Sequence, residues 1–249
     1  MRRFFPSGRV SWSVGGCEKA RILTMSRIFV PSKGPNDWRS LLAEPDKHWA
    51  RGYSARALAH CWELAEGFPR EVLRLFSQDP VLAKAEPLLI FPEWKVALPG
   101  RGHPSQNDIW VLARAEESLI SITVEGKVSE PFGETIGEWR STPSQGRISR
   151  LAYLAEVLGL DDMIPDGVRY QLLHRAVSAI LEARRFGADR AIALVHSFSP
   201  TNLWFEDFSA FVALFGTEAA VDQLITVRAA NGFPLLLAWV HGDEGYLEA

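Results

Sequence analysis

Apolar and polar residues alternate along two neighbouring segments near the middle of the chain. The first segment covers 108–114 and the second covers 119–127, with the four residues 115–118 between them. Alternation with period two is typical of strands, and a short polar link between two such runs predicts a β-hairpin. If Arg114 faces Leu119, the numbers of every pair of facing residues add up to 233.

This register places two acidic residues opposite each other. Asp108 faces Glu125, and their Cβ atoms should lie about 4.5–5.5 Å apart. Two carboxylates at that separation can chelate one divalent cation. Lys127 lies two residues beyond Glu125 and therefore on the same face of the strand, where its ammonium group would be close to the cation and to a bound phosphate.

The register also separates the hairpin into two faces. One face collects only apolar residues, which are Ile109, Val111, Ala113, Ile120, Ile122 and Val124. The other face carries the two acids and the lysine, together with Trp110, Leu112, Ser121 and Thr123. A slip by one residue would exchange the faces, so their different character supports the register. We expect the apolar face to pack against a helix, in particular the helix predicted over 168–185.

The rest of the pattern predicts further helices and strands. Helices are predicted over 54–66, 69–76, 150–158, 168–185 and 204–215, and extended segments over 88–91, 94–98, 190–197 and 233–240. Ser54 is a suitable N-cap for the first helix, and Gly187 follows the end of the 168–185 helix as a C-terminal glycine commonly does. The order of elements predicts an α/β fold in which a mixed central β-sheet is flanked by helices.

Composition separates the start of the chain from the remainder. The chain has 249 residues with 47% hydrophobic content, enough for one α/β domain over 25–249. The first 24 residues contain five basic side chains and one acidic one, so the total net charge of −3 leaves −7 for 25–249. We interpret 1–24 as a disordered extension. An acidic remainder argues against tight non-specific binding of nucleic acid, which uses a broad basic surface.

The cysteines and the apolar segments indicate the compartment. The two cysteines, Cys17 and Cys61, cannot build a disulfide framework, and no Cys/His spacing is typical of a zinc site. No apolar run approaches the roughly 18 residues of a membrane span. The sequence therefore predicts a soluble protein of the cytoplasm that does not bind membranes, and it carries no signal of oligomeric state.

The element order, taken with the acids and the lysine, resembles the restriction-endonuclease-like, or PD-(D/E)XK, nuclease superfamily. The resemblance covers about residues 54–197 and implies a core of one helix, a three-strand meander, a second helix and a further strand. In that superfamily an Asp on the second core strand and a Glu-x-Lys on the third bind Mg²⁺ and act on a phosphodiester. Asp108, Glu125 and Lys127 match these positions, and Asn107 replaces the proline of the motif.

Residues on the predicted helices extend the resemblance. Gln171 matches a Gln that several members carry on the second core helix, and Arg175 stands where some branches have Tyr. Glu63 or Glu66 would match a Glu on the first helix. The resemblance implies Mg²⁺ or Mn²⁺ as cofactor, bound by the two hairpin acids, and DNA or RNA as partner. The whole chain also resembles an uncharacterised bacterial family, from which no activity follows.

A competing set of residues is present upstream. Glu93-Trp-Lys95 also has the Glu-x-Lys spacing and follows Asp79 at a suitable distance. Prolines at positions 80 and 92 interrupt these segments, so neither forms a clean alternating hairpin with an apolar reverse face. The hairpin set is therefore the stronger candidate for the metal site.

Several interpretations of the remaining polar residues stay open. The hairpin set would also suit a salt-bridged surface, or an inactive domain of the same fold that binds a protein or a nucleic acid. Glu130 and Glu134 could support the metal or lie in a solvated loop. Gln171 could equally face solvent, and Arg175 could contact a phosphate or form a surface ion pair. No Ser or Cys nucleophile accompanies the histidines in a recognisable motif, which argues against a hydrolase triad.

Overall fold

The computed structural model describes residues 27–30, 32–100, 102–160 and 163–249. The predicted extension over 1–24 lies outside the described residues. No helix in the described part of the chain combines the length and the apolar character needed to cross a bilayer.

Six strands form one sheet, which is mixed as the sequence predicts. They are β1 (Glu86–Val96), β2 (Ser105–Ala115), β3 (Ser118–Lys127), β4 (Arg190–Ser197), β5 (Leu224–Arg228) and β6 (Pro234–His241). Their order across the sheet is β1-β2-β3-β4-β6-β5. Strands β1 to β3 form an antiparallel meander, β4 runs parallel to both β3 and β6, and β5 is antiparallel to β6.

Helices cover the sheet on both sides. The α-helices are α1 (Pro45–His48), α2 (Ser54–Leu64), α3 (Arg70–Phe76), α4 (Ile136–Ser141), α5 (Gln145–Leu158), α6 (Tyr170–Phe186) and α7 (Phe205–Ala213). Short 3-10 helices lie at Pro35–Leu41, Leu82–Lys84, Ala230–Gly232 and Glu244–Glu248. The prediction of an α/β fold with a mixed central sheet flanked by helices is confirmed at this level.

The register of the β2–β3 hairpin agrees with the prediction. Arg114 pairs with Leu119, and the ladder continues to Ile109 and Val124, one step before the two acids. The turn is tighter than the predicted four residues, because Ala115 also pairs with Ser118. Glu116 adopts a left-handed backbone conformation, with φ of 55°, which closes the chain over two residues.

Strand β1 is continuous where two extended segments were predicted. Pro92 lies inside it, next to Glu93, whose backbone is left-handed with φ of 53°. A proline is tolerated here because β1 is the terminal strand of the six-stranded order, so one side of it needs few ladder hydrogen bonds. Its pairing with β2 also shifts between Pro87 and Leu89, which moves the rest of the strand by one residue.

The prediction that the apolar hairpin face packs against the 168–185 helix is wrong. The six apolar residues of that face belong to a core formed with α2 and α3, in which Leu58, Trp62 and Phe76 are fully buried. Helix α6 packs on the opposite face, in a second core that includes Leu173 and Ala193. The sheet therefore has a buried core on each side.

Small polar residues on β3 allow α6 to cover the polar face of the hairpin. Ser121 accepts a hydrogen bond from the Trp110 indole at 3.0 Å, and Thr123 donates to the Arg175 carbonyl at 3.1 Å. These bonds satisfy polar groups that the helix removes from water, which offsets the cost of burying them. Phe186 at the end of α6 stacks on Trp110, with ring centroids 4.9 Å apart.

Some element boundaries also differ from the sequence prediction. Helix α5 begins at Gln145, five residues before the predicted start at residue 150, because Ser144 caps it by accepting a hydrogen bond from the Arg147 N–H. The pattern missed α4, which a capping box between Thr135 and Glu138 initiates. It also missed strand β5. Ser54 begins α2 but does not cap it, since its hydroxyl bonds elsewhere.

Candidate functional site

A cleft of about 560 Å³ opens where β2 begins and β3 ends. The sheet forms its floor, because Asp108 near the start of β2 and Glu125 near the end of β3 lie on the same face. The first two turns of α6 form one wall through Gln171 and Arg175. All four residues predicted for the site, Asp108, Glu125, Lys127 and Gln171, line this one cleft.

Glu125 is the centre of the hydrogen-bond network. Its Oε1 accepts from Lys127 Nζ at 2.8 Å and from Gln171 Nε2 at 2.7 Å. Its Oε2 accepts from Arg175 Nε at 2.5 Å. Glu125 and Lys127 are each only 4% exposed, so this ion pair is shielded from water and is not a surface salt bridge. Lys127 Nζ also lies 4.7 Å from the centre of the Phe132 ring, which stabilises the ammonium group.

Asp108 is less tightly held than Glu125. Its Oδ2 accepts a hydrogen bond from the Gly126 N–H at 2.8 Å, which ties it to the end of β3. Its Oδ1 lies 3.9 Å from Arg175 Nη2, beyond hydrogen-bond distance. Glycine is suited to position 126, because the Cβ of any other residue would lie only 3.3 Å from the Leu58 side chain.

A third carboxylate joins the pair from β1. Glu93 lines the same cleft and accepts a hydrogen bond from Gln106 Nε2 at 2.5 Å. The pairs Pro92–Ile109 and Trp94–Asn107 flank Glu93 and Asp108, so these two residues face each other across the β1–β2 ladder. The sequence assigned Glu93 to a competing set, whereas the fold places it beside Asp108.

The three acids differ in their electrostatic environment. Burial raises the pKa of Glu125, but the charges of Arg175 and Lys127 outweigh it and lower the pKa to about 2. Burial, and then the charge of Glu125, raise the pKa of Asp108 well above its ordinary value. Burial likewise raises the pKa of Glu93 to about 7. Without a further positive charge, the site therefore favours protons on Asp108 and Glu93 while Glu125 stays ionised.

This donor set is chemically suitable for a divalent cation. Carboxylate oxygens are the ligands that Mg²⁺ and Mn²⁺ prefer, and Asp108 Oδ1 accepts no hydrogen bond among the described residues. Glu125, in contrast, already accepts three hydrogen bonds. A cation that bound both acids would compete with Arg175 for Glu125 Oε2.

Other candidates from the sequence lie outside the cleft. Asp79 accepts hydrogen bonds from the backbone of Val81 and Leu82, and Lys95 is exposed, so the competing set is not assembled. Glu63 accepts hydrogen bonds from Ser32 and Trp38, and Glu66 is exposed after α2. Neither glutamate of the first helix lines the cleft.

Glu130 and Glu134 line the cleft but have partners of their own. Glu130 Oε1 accepts a hydrogen bond from the Ser54 N–H at 2.8 Å, and its Oε2 accepts one from Val128 at 2.9 Å. Glu134 forms an ion pair with Arg147 at 3.4 Å. Glu130 therefore serves as a structural link between β3 and α2, which neither of the two sequence interpretations included.

Sequence reasoning missed two features of this site. Glu93 could have been found from the β1–β2 register, but Pro92 and the irregularity near Pro87 obscure the pattern. Arg175 is one helical turn beyond Gln171, so the spacing alone places both on one face of α6. Arg175 faces the two acids and not solvent because of the face of the sheet that α6 covers, which the spacing does not predict.

A second group of metal-ligating residue types lies in the core under α2 and α3. It consists of Cys61, Glu71 and His196. Trp62 donates its indole N–H to His196 Nδ1 at 3.1 Å, so the imidazole proton lies on Nε2 and is donated to Glu71 Oε1 at 2.9 Å. A metal on Nε2 would require a proton on Nδ1, where it would face the indole N–H. The group is therefore a hydrogen-bond network.

Comparison with known proteins identifies the family. A family model described as "Domain of unknown function (DUF6946)" matches residues 31–244, which is most of the chain. The chain belongs to this family. No curated protein matches it, and no solved structure matches it.

Proposed function

We propose that the protein is a divalent-metal-dependent nuclease with a restriction-endonuclease-like core that hydrolyses phosphodiester bonds in DNA or RNA. The observation that carries the proposal is the convergence of Asp108, Glu125, Lys127 and Gln171 in one cleft. The element order supports it, since α2, the β1–β3 meander, α6 and the parallel strand β4 follow the order of that core.

Asp108 and Glu125 are the proposed ligands of Mg²⁺ or Mn²⁺. When bound, such a cation neutralises charge on a scissile phosphate and lowers the pKa of water. The pKa of Asp108 is raised first by burial and then by the charge of Glu125, and a bound divalent cation would lower it, so metal would displace a proton from this carboxyl. Glu93 on β1 raises the pKa of Asp108 further.

Lys127 and Gln171 are proposed to position the reacting groups. The ammonium of Lys127 is fixed between Glu125 Oε1 and the Phe132 ring, so it can donate to a phosphate oxygen without a large loss of conformational entropy. In the transition state that donor stabilises the extra charge on phosphorus-bound oxygens. Gln171 orients the Glu125 carboxylate through its 2.7 Å hydrogen bond.

The test is metal-dependent cleavage of plasmid, single-stranded DNA and RNA by the parent protein and three variants. Asp108→Ala, Glu125→Ala and Lys127→Ala should each lose most activity, with a decrease of about 100-fold or more for each. The two acid variants should also lose metal binding, because each removes a ligand. Lys127→Ala should keep it or bind metal more tightly, because a neighbouring positive charge repels the cation.

Glu116→Ala is the matched control, since Glu116 lies in the turn at the opposite end of the same hairpin and pairs with Lys84 on the surface. It should retain parental activity. Equal cleavage by the parent and all three site variants would locate the chemistry elsewhere in the protein.

A second candidate function is an inactive domain of the same fold that binds a protein or a nucleic acid. The observation that favours it is Arg175, whose contact with Glu125 already neutralises part of the charge that a metal would neutralise. A parent protein that shows neither cleavage nor Mn²⁺ binding by calorimetry would favour this function over the nuclease.

A further inference from the structure

Arg175 occupies the position between the two proposed metal ligands. Its Nε donates to Glu125 Oε2 at 2.5 Å, and its Nη2 lies 3.9 Å from Asp108 Oδ1. The side chain is only 11% exposed, so the ion pair is largely removed from solvent. Burial lowers the pKa of Arg175, but the charges of Glu125 and Asp108 outweigh this and raise it, so the guanidinium stays charged.

A guanidinium and a divalent cation would compete for Glu125. Glu125 Oε1 is already shared by Lys127 and Gln171, so Oε2 is the oxygen that a cation would take. Arg175 is the donor on that oxygen. Two positive groups on one buried oxygen would also repel each other strongly. Metal binding therefore favours the departure of Arg175 from Glu125.

The guanidinium has donors to spare for another anion. Of its contacts, only the one to Glu125 is short, since Nη1 lies 3.3 Å from Ser105 Oγ and Nη2 does not reach Asp108 within hydrogen-bond distance. Arg175 also lines the open cleft. A phosphate group entering the cleft would meet a planar fork of N–H donors, the geometry in which arginine binds phosphate oxygens.

We propose that Arg175 is the phosphate-binding residue of the site and its resident counter-ion in the absence of metal. A phosphodiester draws the guanidinium from Glu125, and a divalent cation takes the vacated oxygen, so that the two ligands bind cooperatively. This inference rests on the proposed function and describes how the same site binds its substrate. Charge supports the exchange, because a divalent cation neutralises one more negative charge than the arginine does.

Calorimetric titration with Mn²⁺ tests the exchange without requiring cleavage. Arg175→Gln should bind Mn²⁺ about tenfold more tightly than the parent, because the competing cation is gone. Arg169→Gln is the matched control: Arg169 lies at the start of the same helix and pairs with Asp207 at 2.9 Å, so it also removes one charge and one ion pair. It should bind Mn²⁺ as the parent does. Equal or weaker Mn²⁺ binding by Arg175→Gln would overturn the proposal.

A second titration uses the parent protein and does not depend on the folding of a variant. Dimethyl phosphate, a diester monoanion, should tighten Mn²⁺ binding to the parent several-fold, because it receives the guanidinium. In Arg175→Gln, where it is folded, this enhancement should disappear. Mn²⁺ affinity in the parent that is unchanged or weakened by dimethyl phosphate would contradict the proposal.

The two titrations separate this inference from the nuclease function. If Arg175→Gln binds Mn²⁺ more tightly but the protein never cleaves nucleic acid, the role of Arg175 is supported and the nuclease function is contradicted. If the parent cleaves nucleic acid and Arg175→Gln has an unchanged Mn²⁺ affinity, the nuclease function is supported and the proposed role of Arg175 is contradicted.

Discussion

Glu71 illustrates, at the residue scale, how a buried carboxylate can be structural. It accepts hydrogen bonds from His196 Nε2 at 2.9 Å and from Cys61 Sγ at 3.3 Å, within the core beneath α2 and α3. Burial raises the pKa of Glu71, but these hydrogen bonds outweigh it and hold the pKa at about 2. Burial also raises the pKa of the Cys61 thiol, which therefore stays protonated and donates.

This lowered pKa gives a prediction for stability against pH. A carboxylate with a depressed pKa stabilises the folded state above its unfolded pKa of about 4.3, and the contribution is lost as the pH falls toward about 2. Glu71→Gln should lower the free energy of unfolding at pH 7 by about 3 kcal/mol, and its deficit relative to the parent should shrink on acidification. Urea unfolding between pH 7 and pH 2.5 measures both effects.

Glu116→Gln is the control for this measurement, because Glu116 is in an exposed ion pair. A deficit in Glu71→Gln that stayed constant with pH would show that the charge of Glu71 is not the stabilising feature.

At the scale of elements, Glu130 joins the end of β3 to the first turn of α2. Its carboxylate accepts hydrogen bonds from the Ser54 N–H and the Ser54 hydroxyl on the helix, and from Val128 just after the strand. Tyr53, the residue at the N-cap of α2, makes no capping hydrogen bond with its side chain. Glu130, which is distant in sequence, therefore supplies the hydrogen-bond acceptor that a local capping side chain would supply.

Removing this link should weaken the packing of α2 on the sheet. We expect Glu130→Ala to lower the free energy of unfolding by about 1–2 kcal/mol, the usual cost of losing a helix cap. Hydrogen exchange should become faster in the first turn of α2, and Mn²⁺ affinity should change little. Unchanged stability with a loss of Mn²⁺ binding would instead identify Glu130 as a metal ligand.

The hairpin shows what alternation can predict about an element and what it cannot. The register followed from the sequence because a slip would have exchanged apolar and polar faces. The choice of helix for each face did not follow, because both faces are buried and Ser121 and Thr123 are as inaccessible as Ile122. Alternation shows which residues share a face of the strand. Which helix covers each face depends on how elements distant in sequence pack together.

At the scale of the whole molecule, three strands and one helix supply the site. Glu93, Asp108 and Glu125 come from the three strands of the meander, and Gln171 and Arg175 come from α6. The sequence predicted the pair on the hairpin because those residues are close along the chain. It could not predict Glu93 or the contact of Arg175, since both depend on pairing or packing over long sequence separations.

Diffraction from crystals of the parent protein soaked in Mn²⁺ and dimethyl phosphate tests the central claim most directly. The account predicts an anomalous peak about 2.0–2.6 Å from oxygens of both Asp108 and Glu125, with the Arg175 guanidinium displaced from Glu125. A saturating soak that left no peak between these two acids, with Arg175 still bound to Glu125, would contradict the account.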